Sequence, residues 1–183
     1  ISISHRIERQ WKSKEKYEDC ISNLCRHILD KYDMGILLVP NECKPDVYND
    51  VSVGNKILTQ FKNEPQINML QVKQLTAQEI KNEIVRSKIL VGSRYHSCVA
   101  ALSGGTPTIV IGWHNKYEEL LGEYGQTKWI LSNEDCKSDK LIQMVDQMIH
   151  DYSGEIDIIR NKGREVKEKV IEIGEVLFKD YAE

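Results

Sequence analysis

No apolar run in the chain approaches the ~18–20 residues that a membrane-spanning helix needs. No basic segment followed by an apolar stretch opens it as a secretory leader does. Glycine-rich phosphate cradles are missing too. There is no Gly-x-Gly-x-x-Gly and no Gly-x-x-x-x-Gly-Lys-Ser/Thr, so the usual dinucleotide and P-loop sites are set aside. A Gly-x-Ser-x-Gly nucleophile elbow is absent, and no His, Cys and carboxylate group has metal-ligand spacing. With a net charge of −3 and scattered basic residues, the chain carries no nucleic-acid footprint. Its five cysteines (Cys20, Cys25, Cys43, Cys98, Cys136) are odd in number, dispersed, and never arranged Cys-x-x-Cys. Free thiols in a reducing cytosol fit that pattern better than a disulfide framework or a zinc site. Cys20 and Cys25 lie on an apolar helical stripe and read as packing residues.

What is present is ordinary globular material: 183 residues, 40% of them apolar, enough for one domain with its own core. The first residue is Ile rather than Met, which suggests a domain whose upstream part is missing. Short apolar runs predict strands at Ile1–Ser4, Gly35–Val39, Ile67–Val72, Ile89–Val91, Thr108–Ile111 and Lys128–Leu131. Amphipathic spacing predicts helices between them, at about 14–32, 51–61, 116–123, 137–152 and 156–181. Another helix starts at the capping box Thr76-Ala-Gln-Glu79. His5 to Trp11 reads as a loop. Ser153-Gly154 reads as a break between the last two helices, the second striped by Val166, Val170, Ile173 and Leu177. Glu165 and Lys169 are spaced there as an i,i+4 pair. Alternation of this kind predicts a doubly wound, mostly parallel six-stranded sheet, Rossmann-like, in the order 3-2-1-4-5-6, with two C-terminal helices.

The most informative stretch is Ile89 to Gly112. A buried strand gives way at Gly92-Ser93 to Arg94 and His96, then to a small-residue helix closed by Gly104-Gly105, and then to a second strand. In open α/β sheets ligands bind at such strand-to-helix junctions, where positive helix N-termini converge. Arg94 offers a planar fork for two oxygens, and His96 gives or takes a proton near neutrality. Strands one and four are expected neighbours, so Arg6, or Arg9 in its place, faces the same crevice. Together these groups make a seat for a small, multiply charged anion. Lys116, in Trp113-His-Asn-Lys116, sits at the same edge and reads equally as a phosphate contact or a surface lysine; His114 is the weaker member of that loop. Asp46, Asn49 and Asp50 read as an acidic solvated loop in preference to a sugar or metal site.

Ile89-Leu-Val-Gly-Ser-Arg-Tyr-His-Ser-Cys-Val-Ala-Ala-Leu-Ser-Gly-Gly-Thr-Pro, followed by Val-Ile-Gly-Trp-His-Asn-Lys116-Tyr, resembles the C-terminal half of the polysaccharide pyruvyl transferase family. Asn49-Asp50 and the start at Ile1 to Arg6 are similar to its weaker landmarks. The resemblance implies a GT-B-like enzyme of two domains, this chain being the second. It implies transfer of pyruvate from phosphoenolpyruvate to a sugar of a cell-surface glycan or exopolysaccharide, as a ketal. Arg94 and His96 then take the donor-binding and catalytic places of the family's Arg-x-His pair, with Arg6, Ser93 and Lys116 completing the donor site. No cofactor or metal is implied. The expected partners are phosphoenolpyruvate, a sugar or lipid-linked oligosaccharide acceptor and the missing N-terminal domain. The expected location is the cytoplasm, including the inner face of the plasma membrane. Replacing Arg94 or His96 by Ala is expected to abolish transfer without unfolding the chain.

Two other readings compete. A nucleotide-sugar glycosyltransferase of the same architecture presents a carboxylate to the donor ribose soon after a Gly-rich turn. Here Gly104-Gly105-Thr-Pro107 is followed by apolar residues, and Glu118 and Glu119 come only beyond a strand. A flavodoxin-like binding or signalling module needs clustered aspartates at strand ends, and Ile1–Ser4 and Asn68–Gln74 offer none.

Overall fold

Helices form where the sequence supplies both an apolar face and a way to satisfy the first free N–H groups. In the computed structural model, which describes residues 1–45, 47–112 and 115–179 with side chains as far as residue 175, the first is α1, His5–Arg9. Ser4 caps it by accepting from the Ile7 N–H, and Glu8 lies in its first turn. The segment expected as a loop is therefore helical. α2 (Tyr17–Lys31) buries Tyr17, Ile21, Leu24 and Ile28, a three-and-four spacing that lays one stripe on the core. α3 (Asp50–Leu58) begins with a capping box of Asn49 and Ser52, and α4 (Ala77–Arg86) with the expected box of Thr76 and Glu79. α5 (Tyr95–Ser103) stops at Gly104, and Gly105 follows at φ +84°, a left-handed conformation suited to glycine.

The strands are β1 (Ile36–Leu38), β2 (Ile67–Met69), β3 (Leu90–Gly92), β4 (Thr108–Ile111) and β5 (Ile130–Leu131). All pairings are parallel, but they form two small sheets, β1-β2 and β3-β4-β5. This overturns the expected six-stranded sheet. The reason lies in the first four residues. Ser2 alone makes ladder pairings, to Val39 on one side and Gly92 on the other. Ser4 is already committed to capping α1, so the intended first strand has no length in which to form. Ile1 to Ser4 still lies between the sheets, its backbone bonded to Val39 and to Val91 and Ser93.

α6 (Asn115–Glu123) follows β4, and α7 (Ser138–His150) and α8 (Tyr152–Lys179) end the described chain. Ser153 and Gly154 lie inside α8; the break falls at Asp151, the C-cap of α7. Glu165 pairs with Lys162, and Lys169 reaches Glu123 instead of Glu165. Leu38, Leu102, Ile109, Leu141, Val145 and Ile159 belong to one buried cluster that spans both sheets and the helices over them. In α8 the expected stripe is only half used. Val166 packs against the core, yet Val170 and Ile173 are 63% and 60% exposed. Asp46, His114, the Leu177 side chain and the helix end expected near Tyr181 lie outside the described residues.

Candidate anion-binding site

Four connections meet at the carboxyl ends of the strands: Ser4–Arg6 at the start of α1, Asn41–Glu42 after β1, Ser93–His96 after β3, and Lys116–Tyr117 at the start of α6. They enclose a pocket of about 580 Å³ whose lining includes Arg6, Glu42, Arg94, Tyr95, His96 and Lys116. The sequence-expected Arg6, Ser93, Arg94, His96 and Lys116 are thus brought together. Arg9 is turned away, its guanidinium 6.0 Å from the Tyr48 ring centre.

The organising group is one the sequence reading left to solvent. Asp50 is 0% exposed. Its Oδ1 accepts from the His5 backbone N–H at 2.9 Å and from Arg94 Nη2, with His5 Nδ1 2.9 Å away. Its Oδ2 accepts from Arg94 Nε at 2.9 Å and from the backbone N–H groups of Asn41 and Glu42, both at 3.0 Å. Burial pushes this carboxyl upward, but the Arg94 guanidinium and the His5 and Asn41 N–H groups outweigh it, so its pKa is lowered. One buried carboxylate therefore orients Arg94 and pins two loops. Asn49 made the local signal, a helix cap immediately before an acid; the partners that enclose the carboxylate, His5 on α1 and Arg94 at the N-cap of α5, are remote in sequence.

Arg94 is correspondingly less free than expected. Two of its donors are held by Asp50, and Nη2 also lies 3.4 Å from Glu42 Oε2. Ser93 lines the pocket, but its N–H is bonded to the Ser2 carbonyl and its hydroxyl lies 3.4 Å from the Tyr17 hydroxyl. Arg6 is 66% exposed at its side chain and meets Glu42 at 3.4 Å. Glu42 and His5 carried no sequence signal, since neither belongs to a pattern of periodicity or spacing.

His96 is exposed on the first turn of α5. The Cys98 N–H returns to the Arg94 carbonyl, so the N–H groups of Tyr95, His96 and Ser97 form the positive end of the helix. Lys116 Nζ stands 5.0 Å from the Tyr95 ring centre and 5.4 Å from that of Tyr117, which holds its charge at the pocket wall. Burial pushes the Tyr117 hydroxyl up to about 12, so it stays neutral and works as a hydrogen-bonding group. Fixed cations, a titratable ring and a helix N-terminus on one wall suit an anion with more than one charged end. Among the described residues no His, Cys and carboxylate cluster could hold a metal ion.

No curated protein and no solved structure matches the chain. A family profile described as polysaccharide pyruvyl transferase matches residues 2–115, more than half of the 183 residues, and its span takes in Arg6, Asp50, Arg94 and His96. On the match across those residues, the chain belongs to the polysaccharide pyruvyl transferase family.

Proposed function

We propose that this pocket is the donor site for phosphoenolpyruvate and that the chain supports formation of a pyruvyl ketal on a glycan. The observation that carries the reading is the convergence of Arg6, Arg94, His96 and Lys116 on one pocket at the N-terminus of α5. Phosphoenolpyruvate has a carboxylate at one end and a phosphate at the other, and both are ligands for such groups. In the reaction a sugar hydroxyl adds to the enol carbon while the methylene gains a proton, for which His96 is the donor. The phosphate then leaves with the C–O electron pair, and a second hydroxyl closes the ketal. The two hydroxyl protons balance the step: one restores His96, the other departs on monohydrogen phosphate. Arg94 holds the anion, and Lys116 with the N–H groups that open α5 stabilises charge as it moves onto the phosphate.

Thermal unfolding with phosphoenolpyruvate, UDP and a UDP-sugar tests the donor. Phosphoenolpyruvate should stabilise the chain by about 2.7 kcal/mol at a hundredfold excess over its Kd, and the uridine compounds should not. Stabilisation by UDP alone overturns the reading.

A further inference from the structure

Glu42 is the one acid lining a pocket otherwise walled by cations and neutral groups, among the described residues. Its Oε2 stands 3.4 Å from Arg6 Nε, 3.4 Å from Arg94 Nη2 and 3.8 Å from His5 Nε2. Arg6 Nε, Arg94 Nη2 and His5 Nε2 thus converge on one oxygen beside the Asp50 carboxylate. We propose that Glu42 is an internal stand-in for a ligand's carboxylate, and that a bound α-keto-acid-type ligand places its own carboxylate there after displacing it. For phosphoenolpyruvate this fixes the orientation, with the carboxylate between Arg6 and Arg94 and the phosphate at the α5 N-terminus beside His96 and Lys116. The orientation rests on the donor reading above; the carboxylate seat itself does not.

Three features make the seat exchangeable. The Glu42 contacts are longer than the ~2.7–2.9 Å of a tight charge-assisted bond. The Arg6 side chain is 66% exposed, so water screens the pair and little is lost on separating it. Finally, the Glu42 backbone is fixed by its N–H bond to Asp50 at 3.0 Å, so the side chain rotates away while the loop stays in place. The neighbouring charges also keep Glu42 ionised. Desolvation raises its pKa, and His5, Arg6 and Arg94 more than offset that. An ionised Glu42 competes with any carboxylate that approaches the arginines.

Titration calorimetry of pyruvate, inorganic phosphate and phosphoenolpyruvate against the unaltered chain and Glu42→Gln tests the seat. Pyruvate and phosphoenolpyruvate should each bind about fivefold more tightly to Glu42→Gln, while phosphate changes by less than about twofold. Glu42→Ala leaves the seat open, and acetate should raise its melting temperature but not that of the unaltered chain. Pyruvate affinity that is unchanged or weaker in Glu42→Gln, or phosphate gaining as much as pyruvate, overturns the proposal. If pyruvate tightens as expected but phosphoenolpyruvate binds no better than pyruvate, the seat stands and the donor reading fails. Strong phosphoenolpyruvate binding that is equal in both forms keeps the donor and removes the seat.

Discussion

At the scale of single residues, Arg94 and His96 stand two positions apart and have different standing in the structure. Arg94 is the partner of a fully buried carboxylate. Removing one member of such a pair leaves the other charged and desolvated, at a cost of about 3–5 kcal/mol. Arg94→Ala is therefore expected to lower stability by about that amount as well as to lose function. Arg94→Lys should recover little, because a point charge cannot engage both Asp50 oxygens. Chemical denaturation of the two variants measures this, and a midpoint equal to that of the unaltered chain would show that Asp50 is not dependent on Arg94. His96 is exposed, and among the described residues its side chain has no hydrogen-bond partner. His96→Ala should keep stability within about 0.5 kcal/mol while losing most of the stabilisation by phosphoenolpyruvate. A variant that unfolds early, or that responds fully to the ligand, contradicts the role given to His96.

At the scale of elements, what was legible followed from how local each signal is. The Thr76–Glu79 box, the Gly104-Gly105 stop and the strand Thr108–Ile111 appear where the sequence places them, because a cap or an apolar run needs only its neighbours. α1 was not legible: five residues make too little of a helix for a 3.6-residue period to show. The six-stranded sheet failed for a similar reason, since Ile1–Ser4 is too short to be both a strand and a helix cap. In the site, the Arg94 and His96 positions could be read from a strand-to-helix junction. The Asp50 role could not, because its burial depends on elements about 45 positions away on either side. Contacts between elements also set a pH dependence. Asp146 on α7 accepts from Lys31 at 2.6 Å and from the Tyr32 hydroxyl at 2.8 Å, with His27 Nε2 at 2.7 Å, which ties α7 to α2. Desolvation works against its charge, and Lys31, His27 and Tyr32 outweigh it, lowering the pKa to about 2. A lowered folded-state pKa gives stability that is full above the ordinary carboxylate range and is lost as pH falls from about 4 to about 2. Asp146→Asn should thus be less stable by about 1 kcal/mol at pH 7, allowing for partial exposure, and most of the difference should be gone as pH falls through about 2. Paired melting curves across that range decide it, and a difference that does not shrink between about pH 4 and about pH 2 assigns the loss to something other than the ion pairs.

Over the whole molecule, the core is shared by both sheets, and the last helix joins it along only part of its length. Near its start, α8 is locked in place. Glu155 is 2% exposed and accepts from Trp129 Nε1 and Gln126 Nε2 at 2.9 Å each, with Lys128 at 2.6 Å, and Ile159 is fully buried. Farther along, Val170, Ile171 and Ile173 are 63%, 50% and 60% exposed, so the apolar stripe continues after the core has ended. Helical periodicity in the sequence cannot separate these two stretches, because it reports which residues share a face and not whether anything covers that face. The contrast is a prediction about where stability resides. Ile159→Ala should cost about 2–5 kcal/mol, as truncation in a packed core does, whereas Val170→Ser and Ile173→Ser should each stay within about 0.5 kcal/mol. Amide exchange should show the same division along α8. Slow exchange is expected around residue 159 and faster exchange past residue 170, where burial no longer restrains opening. If Val170→Ser and Ile173→Ser destabilise as much as Ile159→Ala, the far half of α8 is covered in solution, and the exposed stripe is then an occupied interface.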